Sequence, residues 1–112
     1  MKPARARLDP ETSAPIFGAL GDPTRLRLVA RLSGGGPQSI TRLTRGSSVT
    51  RQAITKHLRV LADAGLVRGS RSGRESRWAL EPKRLEIAYR YLEHVSQRWD
   101  SALGRLKEFV EE

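Results

Sequence analysis

Apolar residues recur along this chain at intervals of three and four, with one break where they alternate instead. Residues 12–20 place Ile16, Phe17 and Leu20 on one side of a short helix, which Gly21 stops. Asp22 then suits an N-cap and Pro23 the first helical position. The second helix runs to about residue 32, with Leu26, Val29 and Ala30 as its core face and Arg25, Arg27 and Arg31 in water. Ser33-Gly34-Gly35-Gly36-Pro37 reads as a loop. Residues 38–45 form a short third helix with Ile40 and Leu43 apolar. Gly46-Ser47-Ser48 turns the chain, and Val49 packs beneath.

The strongest pattern lies in residues 50–67. Thr50 is placed as N-cap, and Gly65 suits the left-handed position that ends a helix. Ile54, Leu58 and Leu61 form a buried stripe, with Leu66 folding in behind the stop. The other face carries Gln52, Thr55, Lys56 and Arg59, with Arg51 near the start. A short helix, a tight turn and this longer helix make a helix-turn-helix. Residues 66–70 and 77–80 follow as two short strands around an arginine-loaded tip at residues 71–76, the hairpin of a wing. Trp78, in a strand behind a helix, is expected in the core.

Pro82 opens a last helix to about residue 110. Leu85, Ala88, Leu92, Val95, Trp99, Ala102, Leu106 and Phe109 step alternately by three and four. About 28 residues span roughly 40 Å at the helical rise, more than so small a domain covers. Part of the stripe therefore calls for a second chain. The fold class is mainly α with a small β-hairpin: a winged helix-turn-helix whose C-terminal helix calls for a second chain. Residues 1–11 form an N-terminal arm, 12–81 the DNA-binding domain and 82–112 the dimerisation helix.

Composition narrows the function. The net charge over 112 residues is +9. Residues 1–80 hold 15 Lys/Arg and 5 Asp/Glu, a net of +10, whereas residues 81–112 hold 6 and 7, a net of −1. A basic surface confined to the helix-turn-helix is the footprint of a polyanion. With no cysteine, disulfides and thiolate chemistry are excluded. No apolar run approaches a membrane span and no secretory signal is recognisable, so a cytoplasmic, nucleoid-associated protein is expected. The glycine run lacks a preceding strand and a closing Gly-Lys-Ser/Thr, so it is no nucleotide loop. No cofactor and no enzymatic activity are expected.

Double-stranded DNA is thus the expected partner. Arg51, Gln52, Thr55 and Lys56 are the candidates for base contacts, since arginine can chelate a guanine edge and glutamine an adenine edge. Arg42, Arg45, Thr50, His57, Arg59 and the wing residues Arg68, Arg71, Arg74 and Arg77 are candidates for phosphate contacts. The same basic face would also serve a non-specific architectural protein, and the long helix would serve a protein-interaction module.

Three segments together resemble the ArsR/SmtB family of winged-helix repressors. Leu20-Gly21-Asp22-Pro23-Thr24-Arg25-Leu26-Arg27-Leu28 is similar to its opening signature, residues 53–67 to its recognition helix, and Arg68, Gly73-Arg74-Glu75 and Trp78-Ala79-Leu80 to its wing. The resemblance implies an operator-binding homodimer, usually released by an inducer. It implies an interface from the first and last helices, here Ile16, Phe17 and Leu20 with Leu92, Val95, Trp99, Ala102 and Leu106. The chain departs from the metal-sensing members. It has no cysteines, and its last helix offers His94 alone, beside Glu86, Glu93 and Asp100, so no metal site is expected. Gly46 and Ser47 stand in the turn where the family more often has apolar residues, which leaves the third helix's length open. No inducer is assigned by the sequence.

Overall fold

A computed structural model of the chain describes residues 9–111. Among these, the elements follow in the order α1 (Pro10–Leu20), α2 (Pro23–Gly35), β1 (Gln38–Ser39), α3 (Ile40–Thr44), α4 (Arg51–Asp63), β2 (Val67–Ser72), β3 (Glu75–Leu80) and α5 (Pro82–Glu111). This is a mainly helical winged helix-turn-helix. The hairpin is widened to a three-stranded antiparallel sheet in the order β1-β3-β2, with Gln38 opposite Trp78 and Gly69 opposite Trp78 on the other side.

Each of the first four helices starts on a side chain that accepts from an otherwise unpaired first-turn amide. Asp9 accepts from the Glu11 amide at 3.2 Å, and Asp22 from Arg25, Ser39 from Arg42 and Thr50 from Ala53, each at 3.1 Å. This first cap lies within the stretch expected as an arm: Asp9 caps α1 and residues 10–11 begin it, while residues 1–8 lie outside the described residues. The far end of α4 closes as expected. Gly65, at φ 79°, lets its own amide donate to Ala62 and the Leu66 amide to Leu61, both at 2.9 Å.

α2 departs from the expectation in length and in rotation. It continues through Ser33 to Gly35, because Leu32 is buried and anchors the last turn, and the Ser33 hydroxyl donates to the Val29 carbonyl at 2.8 Å. Its core face is Leu28 and Leu32, while Leu26 is 52% exposed and Ala30 lies at the surface. Two of the three arginines expected in water accompany this rotation. Arg25 Nε donates to the Ala19 carbonyl, capping the end of α1 at 2.6 Å, and its Nη1 lies 3.2 Å from His57 Nδ1 of α4. Arg31 donates through Nη1 to the Leu43 carbonyl and through Nη2 to the Arg42 carbonyl, both at 2.8 Å, closing the end of α3. The expected third helix over 38–45 is shorter still. Gln38 and Ser39 pair with β3 instead, and the buried Gln38 amide donates to the Arg31 carbonyl at 3.0 Å.

One core cluster runs from Ile16 of α1 through Leu28 and Leu32 to Ile54, Leu58 and Leu61 of α4. Val67 and Ala88 close it from the wing and α5, and Trp78 packs against it at half burial. α5 rests on this body over its first half, where Tyr91 meets the Phe17 ring edge-on at 5.9 Å. From residue 96 to 111 every residue is exposed. The radius of gyration is accordingly 18.0 Å, against about 13 Å for a compact chain of this length.

Asp22 sits where α1, α2 and α4 meet. The Arg25 amide donating to its carboxylate holds its pKa below the usual 3.8, and attraction from His57, 3.8 Å away, and from Arg25 adds to this against partial desolvation. A carboxylate depressed in the folded state stabilises the fold above its unfolded value and ceases to as pH falls through its folded one. Asp22→Ala should therefore lower the urea midpoint at pH 7, and its deficit relative to the native chain should shrink once pH drops below about 3.8. Leu58→Ala, at a fully buried position, should cost about 2–5 kcal/mol by the same measurement, with α4 no longer fixed.

Candidate nucleic-acid interface

With Ile54, Leu58 and Leu61 buried, the remaining faces of α4 are set by helical geometry. Gln52 and Lys56 project away from the core and are exposed. Arg51, Thr55 and Arg59, at steps of four, form the flank that faces the wing. The Thr55 hydroxyl donates back to the Arg51 carbonyl at 3.0 Å, and Arg51 Nη1 reaches the Thr41 hydroxyl of α3 at 3.4 Å. Thr50 is exposed, with its hydroxyl engaged as the helix cap. His57 lies on the opposite flank, turned inward to Arg25 and Asp22.

The pleat of the wing divides its four arginines, which sequence spacing had grouped. Side chains two apart on a strand share a face. Arg71 shares its face with Gly69, and opposite them stand Ser76 and Trp78, all bordering α4. Arg68 and Arg77 stand on the other face, and Arg68 Nη1 lies 3.5 Å from Glu81 Oε2 at the base of the hairpin. Gly73 and Arg74 form the two-residue turn at the tip. Arg42 and Arg45 flank the end of α3. Arg45 borders a cleft of about 260 Å³ beside the turn, together with Arg27, Ser47 and Ser48.

Among the described residues, Arg42, Arg45, Arg51, Lys56, Arg59, Arg71, Arg74 and Arg77 have no acidic partner; the ion pairs are His57–Asp22, Arg68–Glu81 and Arg90–Glu86. Cations left facing water without counter-charges create the positive potential that draws a polyanion. Sequence reasoning finds Asp22 as a helix cap but misses the roles of Arg25 and Arg31, which it places in water and which instead tie α2 to α1, α4 and α3. Among the described residues no group of three His, Cys, Asp or Glu side chains could hold a metal ion, and no helix is long and apolar enough to cross a membrane.

The residues expected at a dimer interface fall into two sets. Ile16 is 1% exposed, within the chain's own core, and Phe17, Leu20 and Val95 are half-buried. Leu92, Trp99, Ala102 and Leu106 are exposed, and so are Tyr89, Leu103 and Val110, which the heptad spacing did not single out. Trp99 is 62% exposed, an unusual position for an indole in a chain on its own.

A model of a helix-turn-helix domain matches residues 20–70. The HTH-type transcriptional regulator NmtR of Mycobacterium tuberculosis is 33% identical over 101 residues, which are 88% of this chain and 75% of that protein. A solved ArsR family transcriptional regulator superposes with a TM-score of 0.73 at 31% identity, over 83% of this chain and 95% of its own. An ArsR-like transcriptional regulator from Rhodococcus sp. RHA1 does so with a TM-score of 0.69 at 36% identity, over 95% and 94%. With the fold matched over nearly the whole length of both solved regulators, and the identity extending well beyond the helix-turn-helix, this chain belongs to the ArsR family of helix-turn-helix transcriptional regulators.

Proposed function

We propose that this regulator binds a two-fold symmetric operator as a homodimer and represses by occluding the promoter. The observation that carries the reading is the state of α4. Its apolar stripe is consumed by the core, while Gln52, Lys56 and Arg51 stay exposed between two sets of uncompensated arginines. In a major groove, Gln52 and Lys56 would meet base edges first, with Arg51 and Thr55 beside them. Arg42, Arg45, Arg59, Arg71, Arg74 and Arg77 would hold the phosphates on either side. Thr50 and His57 act differently in this reading: the first fixes the start of the helix, the second its flank.

The exposed apolar face of α5 supports the second chain. A water-facing run from Leu92 through Trp99 and Leu103 to Phe109 and Val110 is costly in isolation. Laid against its copy, it would bury that surface and carry the two α4 helices to half-sites about one helical turn apart or a multiple of it. The near-neutral charge of residues 81–112 permits two such helices to approach without strong repulsion.

Two measurements test this. On the operator selected from a random pool, Gln52→Ala should cost about 1–3 kcal/mol and leave binding to random duplex unchanged. Arg74→Ala should weaken both DNAs alike and lower the salt slope by about one. Equal losses on both DNAs for Gln52→Ala would remove that residue from base readout. By sedimentation the native chain should have twice the mass of the 12.5 kDa polypeptide. The double variant Trp99→Arg, Leu106→Arg should run as a single chain with unchanged helicity and lose about 100-fold in operator affinity. A native chain that sediments as a monomer rejects the homodimer.

A further inference from the structure

Between α4 and the wing lies a cleft of about 540 Å³, within the roughly 300–1,000 Å³ range of small-molecule sites. Its chemistry is two-sided. Three guanidinium groups border it, Arg51 and Arg59 from α4 and Arg71 from the wing, and none of its lining residues is acidic. None of the three arginines is ion-paired among the described residues. Interleaved with them is an apolar lining, the Trp78 indole with Ile40 and Ala62. The indole lies directly across the backbone of Gly69: a Cβ there would stand 3.0 Å from the ring. A glycine at this register position is what lets the ring spread over the strand.

A DNA strand passing this face would use the arginines but has no use for the indole. A ring with an acidic substituent would use both, stacking on Trp78 while a charge-assisted pair forms with a guanidinium. We propose that the cleft binds a small planar aromatic carboxylate. Because Arg51 and Thr55 belong to the cleft and to the face of α4 that meets DNA, such a ligand and a duplex exclude one another. This second part rests on the DNA-binding reading given above; the first does not.

The probe is 2-naphthoate, followed through the indole N–H resonance of Trp78. Trp99→Phe removes the other tryptophan of the two in the chain and lies outside the cleft. The expected result is a saturable shift with a dissociation constant below about 1 mM. The neutral 2-naphthylmethanol should bind at least about tenfold more weakly. Arg59→Gln with Arg71→Gln should weaken 2-naphthoate binding by about tenfold or more. Lys83→Gln with Arg105→Gln on α5, which removes the same charge elsewhere, should leave it unchanged.

A shift that does not saturate, or that both double variants weaken equally, overturns the site. A fluorescein-labelled duplex should then be displaced from the native chain as 2-naphthoate saturates Trp78. Saturation with the duplex still bound overturns the exclusion and leaves the site standing. A chain that takes up 2-naphthoate but binds no duplex overturns the DNA-binding reading, again with the site standing.

Discussion

The burial of Ile54, Leu58 and Leu61 is what allows the rest of α4 to be polar. A helix of 13 residues has little stability of its own in water. Its apolar stripe, inserted between α1, α2 and the wing, supplies what its own hydrogen bonds cannot. The same insertion fixes its rotation, and with it the direction of every side chain on the other faces. The position of Gln52 and the cleft that Arg59 borders are therefore consequences of core packing. The Thr50 cap and the Gly65 closure then fix where the helix begins and ends.

Charge is arranged against this core. The winged portion gathers unpaired cations on one surface, which repel one another when nothing is bound. The fold tolerates them because few stand close to a buried group. Those that do, Arg25 and Arg31, are satisfied by backbone carbonyls and by His57. Two populations of arginine thus coexist, one spent on the architecture and one left for partners. The wing sorts its own arginines in the same way: Arg68 lies beside Glu81, while Arg71 faces α4.

Much of this was legible in the sequence because the strongest signals are local. Thr50, Gly65, Asp22-Pro23 and Pro82 each act within one turn of helix, and each marks an element end in the structure. What could not be read depends on distant partners. Gln38 and Ser39 are too few to show alternation, and they form a strand only because Trp78 and Arg77 lie alongside. The rotation of α2 differs from the expected one because Leu26 and Leu28 look equally apolar in sequence, and the reach of Arg25 to Ala19 and His57 and of Arg31 to Leu43 and Arg42 is between distant partners. Ser33-Gly34-Gly35 reads as loop by composition, yet Leu32 and Ser33 carry the helix through it. At the candidate interface, the spacing of the wing arginines was plain, but their division between two faces required the strand register.

The two structural arginines have a mechanical consequence. Arg25 stands on the first turn of α2 and Arg31 six residues later, so this helix works as a spacer bar with a clasp at each position. One clasp holds α4 through His57, and the other holds the end of α3 through two carbonyls. The angle between α3 and α4 is then governed from behind, by a helix that does not face the groove. The Gly46-Ser47-Ser48 turn between them is relieved of that duty, so a polar, glycine-led linker suffices there. A change in the bar would tilt both helices at once, whereas the turn chiefly needs Gly46 to keep its left-handed φ of 75°.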